Sequence, residues 1–434
     1  MGSAGRGIAC AAALIAASGC AFGPGAGASD EAVERRISQL ERELAALKQA
    51  EAEEEQEAGA APAAVSAAPP QAAAGTAAAA APPPAPAEKQ LPTWNVTPDI
   101  SFKPGVRVQV RYLHDGATKN NDIAVQRFRM KGAGQAWKAR YGLELKIDNT
   151  GRTGASPSAA VENGWIEYSP LTALTTRAGL YDVPFSRDAL TSDSKLLFMD
   201  RSLIKDALTG FGLADNGIGG MAYGRPLGGH VEYALGVFNN DRFDGLGTAG
   251  RRSGSVMPVG RIAVDLLDPA PPAGYADYRA SYVGQGRRLS IGANGAWLQN
   301  GRSGAQRFDV YAWGTDLFFN YGPFTFQGEY DWFRLTGNVD RSNRGWFVQG
   351  GYLVEPLREC FKESAPWFPD LELVARYQDL DAESFQPNRE RRTSIGMNTY
   401  IWQHNLKVQT EYSFRHVRQR PDSNLFQVQL QLDF

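Results

Sequence analysis

The chain is 434 residues long, with 45 Lys and Arg against 47 Asp and Glu, a formal net charge of −2, and 11% aromatic residues. That length holds two or three soluble domains or one large barrel, and beyond the N-terminus no run of about 20 apolar residues offers a transmembrane helix. Cys10 and Cys20 both fall in the N-terminal segment, so Cys360 stands alone and an intramolecular disulfide framework is excluded.

Residues 1–28 read as an export signal: Arg6 is the lone positive charge, Ile8 to Ala17 is apolar, and small residues follow. Ala26 and Ala28 fit a cleavage site before Ser29. Ser18-Gly19-Cys20 is a competing lipoprotein-like site, with Ala17 where Leu is usual; plain cleavage is the preferred reading.

Residues 29–57 carry a heptad seam, Val33, Ile37, Leu40, Leu44 and Leu47, with Ile37 and Leu44 at a and the others at d. Arg36 and Glu43 at g face Glu41 and Lys48 at e of a parallel neighbour, and both pairs attract. The seam predicts a short coiled-coil oligomerisation segment; the alternative is a single amphipathic helix lying on another surface, since so short a helix is marginal alone. Residues 29–58 hold 10 acids and 4 bases, which, with Arg6 counted, leaves +3 for the remainder. Residues 58–94 form an Ala/Pro-rich linker, semi-extended around Pro82 to Pro84.

From residue 95 to 434 the pattern changes to strands of period 2, separated by Gly, Pro, Asn or Asp. Val106, Val108 and Val110 alternate with Arg107, Gln109 and Arg111. Phe128 and Met130 alternate with Arg127, Arg129 and Lys131; Tyr141 to Ile147 alternate with Lys138, Arg140, Glu144, Lys146 and Asp148. Later strands are expected around Val231–Val237, Leu289–Trp297, Phe324–Trp332, Trp346–Val354, Leu371–Tyr377, Ile395–Ile401 and Leu406–Phe414. The rhythm breaks longest over 181–216, which holds Phe185, Phe198 and a helix-like stretch from Lys195 to Leu208. A long connection with apolar anchors is expected to fold into a barrel too wide for side chains to fill. The chain ends in Asn424–Phe434, with Phe426, Val428, Leu430, Leu432 and Phe434 on one face and Gln427, Gln429, Gln431 and Asp433 on the other. A strand that ends on an aromatic at the carboxylate fits the closing strand of an outer-membrane barrel, greasy toward lipid and wet toward a lumen. The fold class expected is all-β, a transmembrane antiparallel barrel of about sixteen strands, with eighteen as the alternative. Such a closed ladder needs no disulfide.

The runs Arg127-Phe128-Arg129-Met130-Lys131-Gly132, Glu162 to Tyr168, Ala178 to Arg187, Leu197 to Leu203, Tyr233 to Asn239 and the final Phe434 resemble the phosphate-selective porin O/P family. The resemblance implies a sixteen-stranded trimeric porin of the bacterial outer membrane with an inward third loop. Some members have an N-terminal coiled coil of this kind. It also implies the barrel-assembly machinery and outer-membrane lipid as partners.

The residues themselves suggest what the lumen does. Arg107, Arg111, Arg127, Arg129, Lys131, Lys138 and Arg140 are expected on the wet face of three adjacent strands, and the inward loop adds Arg187, Lys195, Arg201 and Lys205. Such a wall selects anions, and the planar guanidinium fork suits phosphate. Asp182, Asp188, Asp193, Asp200 and Asp206 interleave with these cations, so a salt-bridge lattice that only braces the loop is the competing reading. The expected activity is passive diffusion of small hydrophilic solutes with anion preference. The alternatives are a non-selective, organic-acid or sugar porin with an envelope-tethering helix that meets peptidoglycan or another periplasmic partner, and a barrel hydrolase using His404 or His416. The four histidines lack metal-like spacing, Gly217-Ile218-Gly219-Gly220 lacks a dinucleotide context, and the tryptophans fit interfacial girdles. No enzyme activity, cofactor, metal or nucleic-acid partner is expected.

Overall fold

The computed structural model describes residues 92–434 apart from 151–157, 172, 240–255, 270–274, 276–277, 304–305, 339, 356–367 and 385–388. The expected signal (1–28), the seam of Val33, Ile37, Leu40, Leu44 and Leu47, the Ala/Pro-rich linker up to residue 91 and Cys360 lie outside the described residues. Seventeen strands are described: β1 Trp94–Thr97, β2 Ile100–Asp115, β3 Asn120–Ala136, β4 Ala139–Thr150, β5 Ser158–Leu171, β6 Leu174–Asp182, β7 Asn216–Gly224, β8 Val231–Asn239 and β9 Val256–Asp265 make the first half. β10 Arg287–Ser303, β11 Gln306–Tyr321, β12 Phe324–Gly337, β13 Arg341–Leu353, β14 Asp370–Ala382, β15 Arg389–Trp402, β16 Leu406–Val417 and β17 Ser423–Asp433 make the second. Two short helices, α1 Arg187–Leu190 and α2 Leu203–Thr209, lie in the connection between β6 and β7.

β2 to β17 pair antiparallel with their sequence neighbours, and β17 returns to β2 through Leu425↔Asp115 to Asp433↔Arg107, closing a sixteen-stranded barrel. β1 is an extra strand that folds back on β2, Trp94 opposite Phe102. The last residue completes the seam: Val106 N donates to Phe434 O at 2.8 Å and Phe434 N donates to Val106 O at 3.0 Å. Among the described residues no helix is long and apolar enough to cross a membrane; the strands are the spanning elements, because a closed ladder satisfies every backbone polar group without water.

The solvent faces are inverted relative to a soluble protein. On β17 the glutamines Gln427, Gln429 and Gln431 are buried, whereas Phe426 and Leu430 are exposed. Gln109 Nε2 donates to Gln431 Oε1 at 2.7 Å and Arg111 Nη2 to Gln429 Oε1 at 2.8 Å, so polar side chains knit the inner wall. Outside, Trp297, Tyr311, Trp313, Phe324, Trp346 and Tyr352 stand exposed, and Trp297 stacks on Tyr311. Amphipathic rings of this kind settle at the membrane–water interface.

Both chain ends of the barrel lie at one rim, here the terminal rim. The connection 183–215 enters from the far rim, and its helix differs from the one expected over Lys195–Leu208: only Leu203–Thr209 is α-helical, behind a 3-10 turn at Asp193–Lys195. The cause is competition for carbonyls. Lys407 donates to Leu196 O, Asn398 to Leu197 O, Arg111 to Met199 O and Arg376 to Asp200 O, which holds this run extended against the wall. Ser202 then caps α2, its Oγ accepting from Lys205 N at 3.3 Å.

Leu430 sits mid-strand on the outward face. Leu430→Arg is expected to destabilise the folded barrel in lipid by about 2–4 kcal/mol, read by denaturant titration in vesicles; an unchanged midpoint would mean that this face does not meet hydrocarbon.

Candidate functional site

The connection 183–215 is held inside the barrel by apolar and polar anchors together. Phe185, Leu197, Phe198, Ile204 and Leu208 are buried to 2% exposure or less. Glu329 accepts from Asp188 N at 2.9 Å and Gln378 from Leu203 N at 2.9 Å, so wall side chains satisfy loop amides that no ladder reaches. Inside the connection, Asp188 Oδ2 accepts from both the amide and hydroxyl of Ser202 at 2.8 Å, tying α1 to the start of α2.

Where this connection crosses toward β2 and β3, one carboxylate meets three guanidiniums. Asp193 lies 2.9 Å from Arg201, 3.4 Å from Arg127 and 3.7 Å from Arg107. Arg107 also binds Asp433 at 3.1 Å, and Lys131 binds the other oxygen of Asp433 at 2.6 Å. These contacts bring four cations to two carboxylates, while Glu162 and Asp182 line the same stretch. Burial alone would raise the Asp193 carboxyl, but Arg127, Arg201 and Arg107 hold it well below the usual range. Asp200 shows the same contest: burial opposes ionisation, and Arg111 at 2.7 Å reverses it.

Two cavities meet at this cluster. One, of about 700 Å³, opens toward the terminal rim and is lined by Arg107, Arg140, Glu144, Glu167, Asp193 and Arg201, among others. The second, of about 300 Å³, lies on the far side and brings Arg127, Arg129, Lys146, Asp148, Lys205 and Asp206 together. Both share Glu162, Asp182, Asp193, Arg201 and Asn216, so they form one passage narrowed where the loop faces the β2–β6 wall. In the larger cavity Arg177 stacks over Trp165 with its guanidinium carbon 4.0 Å from the ring centroid, and it binds Glu167 at 2.6 Å. Trp165 has room because glycines lie against its ring and backbone: a Cβ at Gly142 would strike the indole, and Gly179, at φ +133, would strike the backbone of Gly164 and Trp165.

The structure sorts the residues named from sequence. Arg107, Arg127, Arg129, Arg140, Arg201 and Lys205 line the passage. Arg111 is 4% exposed and spent on Asp200, Met199 O, Gln427 and Gln429, so it braces the loop. Lys131 and Lys195 border a separate pocket of about 280 Å³ beside Asp433 and His404. Arg187 is buried, stacked on Tyr278 and Phe318. Lys138 is a correction: it stands exposed in the turn between β3 and β4, because the strand pairing ends at Ala136↔Ala139 and leaves it no wall to face. Trp165 is another, facing the lumen rather than an interfacial girdle. His404 and His416 are far apart in role: His404 is buried with Nε2 2.9 Å from Ser281 O, while His416 is exposed beside Asp422. Sequence reasoning missed Glu144, Lys146, Asp148, Glu162, Glu167, Arg177 and Arg392 as passage residues. The first three were already visible on the wet parity of β4.

Arg129 binds Glu144 at 3.3 Å and also Asp148, Lys146 binds Glu162, and Arg140 binds Glu167 at 2.9 Å. The cations are thus held by carboxylates rather than standing free, which leaves them ordered and pointing into the passage but only partly available to a solute.

The family model described as phosphate-selective porin O and P matches residues 100–434. An uncharacterized protein of Aquifex aeolicus is 23% identical over 295 residues, covering 63% of this chain and 68% of that protein. Among solved structures, an anion-selective porin from Comamonas acidovorans superposes with a TM-score of 0.52 at 12% identity, over 77% of this chain and 100% of that one. OmpT of Vibrio cholerae in its trimer form gives 0.50 at 10% identity, over 77% and 99%. At these identities the structural likeness establishes the fold.

Burial pushes the Asp206 carboxyl up to about 6, partly offset by Lys205. Its charge is therefore present well above pH 6 and lost as pH falls through that value. Anion preference is expected to rise between pH 7 and pH 5, read as reversal potential in a salt gradient, and Asp206→Asn should flatten that dependence.

Proposed function

Since the chain belongs to the phosphate-selective porin O and P family, it is an outer-membrane porin, and we propose that it passes small hydrophilic solutes with a modest preference for small anions. One observation carries the preference: Asp193 is a single loop carboxylate shared by Arg107, Arg127 and Arg201, with Asp433 and Lys131 behind them. An entering anion meets three guanidiniums grouped on one carboxylate where the loop faces the wall, and there it trades hydration for charge-assisted hydrogen bonds. Because the remaining cations are matched by carboxylates, the passage suits rapid exchange across several moderate sites better than tight retention of phosphate.

The rest of the reading concerns assembly. The seam from Val33 to Leu47 serves a homotrimer, with the helix in the periplasm and the Ala/Pro linker giving it reach of up to roughly 3.1 Å per residue. That helix is available to peptidoglycan or another periplasmic partner. The strand ending in Phe434 is what the barrel-assembly machinery engages, and the terminal rim is accordingly the periplasmic one. The role is diffusion and not catalysis.

Two measurements test this. Arg127→Gln is expected to move the anion-to-cation permeability ratio roughly tenfold toward cations, since one charge at ~6 Å in water is worth about 0.7 kcal/mol to each ion with opposite sign. Asp193→Asn should move it the opposite way. Equal reversal potentials in all three proteins would reduce the cluster to a brace. Deleting residues 29–90 is expected to lower oligomer yield on native gels while conductance per pore stays constant.

A further inference from the structure

The connection between β9 and β10, residues 266–286, leaves from the terminal rim, the side opposite to the connection 183–215. Residues 280–283 do not stay at the rim. Ala280, Ser281, Tyr282 and Val283 are buried at 8% exposure or less, and they lie inside the barrel against Phe318, Glu372 and His404. Ser281 Oγ donates to Glu372 at 2.8 Å, and His404 donates to Ser281 O at 2.9 Å.

Three tyrosines of this segment each sit on arginines from elsewhere. Tyr275 packs on Arg177 at 5.1 Å and donates its hydroxyl to Asp182 O at 2.9 Å. Tyr278 packs on Arg187 at 4.6 Å and Arg261 at 5.4 Å, and its hydroxyl donates to Glu232. Tyr282 packs on Arg288 at 3.8 Å. Cation–π contacts of this kind are strongest where water is excluded. The backbone then reaches the other inward connection directly. Thr191 and Tyr278 form a parallel β-bridge, Ser192 N donates to Tyr278 O at 3.4 Å, and Ala280 N donates to Lys195 O at 3.0 Å. These contacts bracket Asp193, the shared carboxylate of the passage.

We propose that Tyr275 and residues 278–283 of the β9–β10 connection form a second constriction element, a tyrosine clamp that fixes Asp193 from below and closes the β11–β15 side of the lumen. Solute then passes only between the 183–215 connection and the β2–β6 wall. Tyr278 is the principal positioning residue: it touches the other connection through its backbone and Arg187 through its ring. The proposal deepens the porin reading and rests on it, since it assigns which part of the barrel conducts and what holds the selective carboxylate in place.

The test uses the full-length protein in planar bilayers. Tyr278→Ala combined with Tyr282→Ala is expected to raise single-channel conductance by roughly twofold, by opening the closed side, and to add rapid current fluctuation as Asp193 loses its support. The reversal potential should drift toward zero with it. A second variant asks whether the two connections are in contact: Thr191→Cys with Tyr278→Cys, in a chain that also carries Cys360→Ser. Reduced, with Tyr282 still in place, it should show a smaller rise in conductance and noise than the alanine pair; oxidised, it should return to the conductance and noise of the parent. Heat-modified mobility on gels reports that each variant is a folded barrel, and if the alanine pair fails to fold, the cysteine pair decides alone. Parental conductance and noise in the folded alanine pair, or in the reduced cysteine pair, would overturn the clamp and leave the porin reading standing. Failure of the cysteines to cross-link under oxidant would overturn it as well. A parent protein that forms no channels at all would instead remove the reading on which the clamp depends.

Discussion

Hydrocarbon accepts no unpaired backbone amide, and the rest of this structure follows from that. Each N–H or C=O left unsatisfied in lipid costs several kcal/mol, so a chain that spans with strands must close the sheet on itself. Here closure is made by β17 against β2 and finished by the reciprocal bonds of Val106 and Phe434. Once the ladder is shut, the two faces of every strand meet opposite solvents. Leu430 on β17 faces outward and Gln429, its neighbour, is buried in the wall for the same geometric reason.

The lumen obeys a second constraint. A guanidinium held among side chains and loop backbone has lost much of its water, and unpaired it would be costly. The wall answers with carboxylates on the same wet faces: Asp148 and Glu144 beside Arg129, Glu162 beside Lys146, Glu167 beside Arg140 and Arg177. Free cationic rows of the kind the sequence pattern invited are therefore largely replaced by matched pairs, and at Asp193 three guanidiniums gather on one carboxylate. Selectivity here is a property of local imbalance rather than of the total number of arginines.

What was legible in the sequence divides along the same lines. The strands were legible because lipid and water impose a period of 2 that no turn obscures, as in Phe128–Lys131 and Phe426–Phe434. The inward course of 183–215 was legible through Phe185 and Phe198, apolar residues with no lipid-facing strand to sit on. The helix boundary was not, because Lys407, Asn398 and Arg376, which capture the carbonyls of 196–200, lie about two hundred positions away in the chain. Lys138 was misplaced by one feature of alternation: parity continues through a two-residue turn even though the wall does not. Residues 266–286 gave no signal of entering the lumen, since Tyr275, Tyr278 and Tyr282 become anchors only when Arg177, Arg187, Arg261 and Arg288 converge on them.

The glycine against the Trp165 ring carries a consequence of its own. With Gly142 on the neighbouring strand, the indole rests against bare main chain, and Arg177 stacks on it. A ring set against main chain takes up less of the bore than one held off it by a side chain. The position of the ring there depends on one missing methyl group, and adding it back at Gly142 would push the tryptophan toward the stream of solute.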